Sequence, residues 1–182
     1  MNETRSKTKS LILCALFAAL IAVGAFIRVP VPVVPFTLQT LFTVLAGLLL
    51  GSRLGALSAA VYAAVGLLGI TVFTGGGGPG YIFHPTFGNI IAFIGGAWIA
   101  GYIVEKSKAP NIKTYLLAGL AHLSVVSTVG MVYYYFIANY YTHSPIGVGA
   151  LILHCFLMTL PGDLVKCFLS AVLACKLRPV LR

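Results

Sequence analysis

Apolar runs recur along this chain, each broken by charges or by a Gly/Pro cluster, and each close to the length that crosses a bilayer. Leu11 to Ile27 ends at Arg28 and a Pro/Val-rich stretch. Phe36 to Leu50 ends at Gly-Ser-Arg, Leu54 to Phe73 at "TGGGGPG", Asn89 to Val104 at "EKSKAPNIK", and Thr114 to Ala138 at "NYYTHSP". Runs without a polar face cannot line a water-exposed surface, so they predict membrane-spanning helices. Composition agrees. Only 8% of residues are charged and 59% are hydrophobic, whereas a soluble domain carries about 25% charged residues. No polar segment is long enough for a separate domain, so residues 1–182 read as one membrane domain.

The last apolar run, Ile146 to Lys176, has 31 residues. As one helix it would be about 46 Å long, against a hydrocarbon core of about 30 Å. Pro161–Gly162 supplies a natural break. The expectation is a short helix, Ile146 to Leu160, followed by a final span. The predicted fold is an all-α bundle of six transmembrane helices, at about 11–27, 36–50, 54–73, 89–104, 114–138 and 161–176. The charged N-terminus followed by an apolar run resembles a signal peptide, but no small-residue cleavage site follows, so the run reads as the first span.

The basic residues orient the bundle. Arg5, Lys7, Lys9, Arg53, Lys106, Lys108, Lys113, Lys176, Arg178 and Arg182 fall on one side, and only Arg28 and Lys166 on the other. The positive-inside rule then predicts that both termini are cytoplasmic. The Gly-rich loop and the start of the last helix face outward. The net charge of +9 is explained by these flanks and not by nucleic-acid binding.

Within the last span, Asp163 and Lys166 are anomalous. The chain has three acids, and Asp163 is the one inside a predicted span. On a helical wheel Asp163, Lys166, Cys167, Ser170 and Ala174 share one face, and Leu164, Val165, Phe168, Leu169 and Val172 the other. A charge facing lipid costs several kcal/mol, so the first face should point inward. Asp163 also lies in the first helical turn, where free N–H groups favour a carboxylate. Two readings stay open: an i,i+3 salt bridge that only closes the pair, or a ligand site with one acceptor and one cation.

The loop Phe73 to Asn89, "FTGGGGPGYIFHPTFGN", is either a flexible connector or a lid over an outward pocket. Tyr81, Phe83 and Phe87 would be its walls, Asn89 an orienting amide, and His84 a neighbour. No Gly-Lys-Ser/Thr follows the glycines, so a phosphate cradle is not indicated. In the first span, Ala15/Ala19 and Ala18/Ala22 are small-residue pairs that suit close helix packing, within this bundle or with a partner. No hydrolase motif, second intramembrane acid, nucleotide loop or metal-ligand spacing occurs. Neither catalytic residues, nor a metal, nor a bound cofactor is expected. The four cysteines read as small apolar residues.

Three segments, Val34 to Ile70, Gly75 to Gly88 and "LPGDLVK" (Leu160 to Lys166), resemble the biotin-specific substrate-capture subunits of energy-coupling factor transporters. The resemblance covers roughly residues 11 to 178, and the Phe-Thr-Leu-Gln and Pro-Gly-Asp-x-x-Lys elements together carry it. It implies six membrane helices and biotin capture from outside a bacterial cell membrane. It also implies a coupling membrane subunit and two cytoplasmic ATPases as partners. Ala15 and Ala19 match the partner-contacting motif, and Asp163 and Lys166 the biotin-contacting pair. Gln39, Tyr81, Phe87 and Asn89 complete the expected substrate-binding set. Where the family has Gly-Gly-Tyr after Pro-Thr, this chain has Phe87-Gly88-Asn89, so Asn89 is either a ureido contact or an unrelated variant. A self-sufficient secondary transporter coupled through Asp163 is the alternative, and an intramembrane enzyme or scaffold the remote third.

Overall fold

A computed structural model describes residues 2–29, 36–142 and 144–181. Most of the Pro/Val-rich stretch, His143 and Arg182 lie outside the described residues. The chain forms α1 (Asn2–Phe26), α2 (Gln39–Leu50), α3 (Ser52–Leu67), α4 (Phe87–Lys106), α5 (Ile112–Phe136), the short α6 (Val148–Ile152) and α7 (Leu160–Leu181). A one-turn 3-10 helix (Pro79–Phe83) precedes α4, and π-helical turns follow α5 (Ile137–Tyr141) and α6 (Leu153–Leu157). Two short strands, β1 (Arg28–Val29) and β2 (Phe36–Thr37), pair antiparallel between α1 and α2.

Among the described residues, four stretches are long and apolar enough to cross a membrane: Lys7–Phe26, Phe87–Lys106, Ile112–Tyr141 and Val148–Pro179. The other two apolar helices, α2 and α3, have 12 and 16 residues, about 18 and 24 Å at 1.5 Å per residue.

Several boundaries differ from those expected, each for a local reason. The first helix begins at Asn2 and not Leu11, because no Pro or Gly interrupts the chain before Gly24. Phe36 and Thr37 belong to β2, so α2 starts at Gln39. The third helix stops at Leu67 because the chain turns at Gly69 (φ +103°) and folds Phe73 back onto Gly66. A Cβ at Gly66 would overlap the Phe73 ring. Most informative is Pro161–Gly162, which does not break the helix. Pro161 sits in the first turn of α7, where no N–H is needed, and the Asp163 N–H already bonds Thr159 O at 2.9 Å. The interruption lies just upstream, at Met158–Thr159.

Helix α4 is the hub and packs on α2, α3 and α5. Glycines allow these approaches. A Cβ at Gly101 would collide with the Gly51–Ser52 backbone, and one at Gly96 with the His122 ring. One apolar cluster, including Ile21, Tyr62, Phe73, Tyr81, Phe87, Ile90 and Phe93, fills the end of the bundle near the Gly-rich loop. A second, with Val44, Leu48, Ala100, Val104, Tyr115 and Ala171, fills the other end.

At that other end the Glu105 carboxylate accepts from Ser52 N at 2.8 Å and Ser52 Oγ at 2.7 Å, tying the end of α4 to the start of α3. The wheel drawn for α7 holds. Asp163, Lys166, Cys167, Ser170 and Ala174 are buried, while Leu164, Val165, Phe168 and Leu169 are exposed and Val172 is half-buried.

Candidate functional site

The two cavity charges come from the start of α7. Asp163 is 8% exposed and Lys166 4%. Lys166 Nζ lies 2.5 Å from Asp163 Oδ1. It also donates to Thr37 O at 2.9 Å, and its ammonium lies 3.9 Å from the centroid of the Phe36 ring. The i,i+3 pair therefore exists, and it faces a cavity instead of a packed wall. The cavity, counted out to its open mouth, spans about 700 Å³. Its polar lining includes Thr37, Gln39, Thr40, Thr86, Asn89, Ser127 and Thr159, and its apolar lining Phe36, Ile90, Phe93, Leu123 and Val126.

The two amides in the lining differ. Gln39 is held from both sides: its Oε1 accepts from Thr37 Oγ1 at 3.2 Å, and its Nε2 donates to Tyr62 Oη at 2.6 Å. Tyr62 in turn donates to Val72 O at 3.2 Å. Asn89 lies against the backbone of Gly130 on α5, where a Cβ would occupy the space of Asn89 Oδ1. Its side chain lines both the main cavity and a small adjoining one with Ser127, Gly130, Met131 and Cys155.

Of the residues expected from sequence, Asp163, Lys166, Asn89 and Gln39 come together around this cavity. Tyr81 and Phe87 do not line it; they stand one layer behind, in the apolar cluster. The reason is the folding of the loop. Tyr81 stacks on His84 at 4.7 Å between centroids, and its hydroxyl shares hydrogen bonds with Thr86 Oγ1 at 3.1 Å and Thr74 Oγ1 at 3.3 Å. Thr74 and Thr86 are the residues that reach the cavity. Phe83 turns away to stack on Tyr141. His84 Nδ1 pairs with Thr86 Oγ1 at 2.8 Å, and burial holds the imidazole below its ordinary value of 6.5. Arg28 Nη1 closes this end by donating to Thr74 O at 2.5 Å.

Sequence reasoning missed Phe36, Thr37, Tyr62, Phe93 and Ser127 as lining residues, and treated Cys155 as an ordinary small hydrophobe. A Tyr within an otherwise small-residue helix was a usable signal for Tyr62; none marked Phe36 or Phe93 among the many aromatics. On α1 the two small-residue pairs separate cleanly. Ala18 is buried and Ala22 packs beside it against the core, whereas Ala15 and Ala19 are exposed on the outward face.

The sequence matches the BioY family over residues 1–182. The chain belongs to the BioY family. Among relatives, it is 40% identical to the "Probable biotin transporter BioY" of Lysinibacillus sphaericus, over 98% of this chain and 91% of that one. It is 35% identical to the "Biotin transporter BioY" of Thermotoga maritima, over 93% and 96% of the two chains. The fold matches a crystal structure of the S-component for biotin from an ECF-type ABC transporter, with a TM-score of 0.83 and 29% identity, over 96% of this chain and 93% of that one. The family assignment therefore rests on sequence and backbone together, along nearly the whole length of this BioY-family chain.

Proposed function

We propose that this chain captures biotin at the outer face of the cell membrane, as the substrate-binding subunit of an energy-coupling factor transporter. The observation that carries this reading is a cavity in an apolar bundle with one buried carboxylate and one buried ammonium on its wall. Biotin has ureido N–H donors and a carbonyl at one end, an apolar bicycle and chain, and a carboxylate at the other end. Asp163 suits the ureido N–H groups, Asn89 the ureido carbonyl or an N–H, and Lys166 the carboxylate. Gln39 presents an amide already oriented by Thr37 and Tyr62. Phe93, Ile90 and Val126 suit the bicycle and chain.

Six membrane crossings, with α2 and α3 as short spans, would put both termini in the cytoplasm. The distribution of Lys and Arg supports this. The exposed Ala15 and Ala19 support a docking face for a coupling membrane subunit, which would connect to two ATPases. The chain binds its ligand without a metal or nucleotide and is not an enzyme.

Calorimetry on the detergent-purified chain tests this directly. Biotin should bind with no nucleotide or metal added, and thiamine and riboflavin should not. Binding of another vitamin in place of biotin would overturn the ligand assignment. Biotin uptake into liposomes by this chain alone, driven by a proton gradient, would overturn the subunit reading in favour of secondary transport.

A further inference from the structure

We infer that Phe36 is a positioning residue for the Lys166 ammonium, and that Gly162 is glycine so that the Phe36 ring can lie against α7. This inference rests on the biotin reading above and adds to it the means by which the cation is held. Three observations converge. The Phe36 ring faces Lys166 Nζ at 3.9 Å. The same ring lies on Gly162, where a Cβ would overlap the ring edge. The neighbouring Thr37 carbonyl accepts from Nζ at 2.9 Å. Phe36 and Thr37 form β2, so one short strand presents both a π face and a carbonyl to one ammonium.

The chemistry explains why a ring serves here. An ammonium on the wall of an apolar cavity must be held, but a second carboxylate would hold it by neutralising it. An aromatic face attracts the cation through its quadrupole and leaves the positive charge available to an anionic group. With Thr37 O on one side and the ring beneath, Nζ stays in place when Asp163 turns to the ligand. A ligand carboxylate meets a cation already in place. The Pro161–Gly162 doublet thus gains a function other than helix breaking. Pro161 starts α7, and Gly162 is the flat seat for the ring.

The test is to incorporate phenylalanine with one, two and three ring fluorines at position 36, and to measure binding of biotin and of biotin amide by calorimetry. Fluorine withdraws π density with little change in shape, so folding is preserved and thermal melts should coincide. Biotin affinity should fall stepwise, by about three- to tenfold across the series, and biotin amide affinity should barely move. Phe36→Leu should reproduce the selective loss and Phe36→Tyr should restore biotin binding. Gly162→Ala should likewise weaken biotin more than the amide in the native background, and add nothing on top of Phe36→Leu. Equal losses for both ligands, or a flat fluorination series, would overturn the inference, because Phe36 would then be only an apolar wall. A native chain that binds no biotin would instead sink the biotin reading itself, which the unsubstituted control detects first.

Discussion

Asp163 and Lys166 present the sharpest test at the scale of single residues. They form a 2.5 Å pair, and both line the cavity, so a pure scaffold role and a ligand role make different predictions. If Lys166 meets the carboxylate of biotin and Asp163 its ureido N–H groups, which requires the 2.5 Å pair to part as the ligand enters, Lys166→Ala should weaken biotin about tenfold or more and biotin amide much less. Asp163→Asn should weaken both by similar factors. Loss of a charge-assisted hydrogen bond is worth about 1.5–3 kcal/mol, which sets that scale. A scaffold pair would behave otherwise: each single change would leave a buried charge without its partner and lower the melting temperature, and the double neutral variant would recover it. A double variant that folds and binds biotin normally would remove the pair from the ligand site. This much of the site was legible in sequence because a charge inside an apolar helix has only one inexpensive direction to face. His122 was not legible in the same way. It is fully buried, with neither ring nitrogen hydrogen-bonded among the described residues, and its ring lies 6.4 Å from that of Phe93.

At the scale of elements, two joints deserve measurement. The first is the corner between α2 and α3 at Gly51 (φ +88°), where Glu105 caps the start of α3 through Ser52. Glu105→Ala removes both hydrogen bonds and a negative charge at a helix N-terminus. It should lower stability by about 1 kcal/mol, read as a drop of a few degrees in the melt, with biotin affinity unchanged. A loss of affinity equal to the loss of stability would show that this distant corner communicates with the cavity. The second joint is the Gly-rich loop. The folded loop holds His84 below its ordinary value of 6.5, so as pH falls the unfolded chain takes up the proton first. The stabilisation is complete above about pH 6.5 and declines below it. Melts recorded between about pH 7.5 and 5.5 should show a decline that His84→Asn reduces. An identical decline in that variant would assign the pH dependence elsewhere.

For the molecule as a whole, the question is which face meets a partner. Ala15 and Ala19 project from α1 away from the core, and Ala18 and Ala22 project toward it. Bulky substitution on the outward pair, Ala15→Leu with Ala19→Leu, should leave biotin binding and the melt intact while abolishing uptake in cells with the complete transporter. Ala18→Leu should instead lower the melting temperature, since overpacking a buried helix contact costs about 1–3 kcal/mol. If the outward pair reduces binding as much as uptake, α1 does not dock by that face.

Membrane class, helical content, the clustering of basic residues and the buried face of α7 are all written along the chain. These are local properties: a 3.6-residue period, a run of apolar side chains, and charges at the ends of runs reveal themselves within a few turns. Charges in an apolar helix pointed to Asp163 and Lys166 and the loop's one amide to Asn89, Gln39 completed the expected set, and the fold brings these four around one cavity. The positions of Tyr81 and Phe87 behind the cavity, the end of α3 where Phe73 folds onto Gly66, and the seating of the Phe36 ring on Gly162 emerge from the fold alone. Each of these depends on a side chain from elsewhere in the chain or on a loop's own closure. Lys166 and the Thr37 carbonyl are 129 positions apart, and no periodicity within either segment records that they meet.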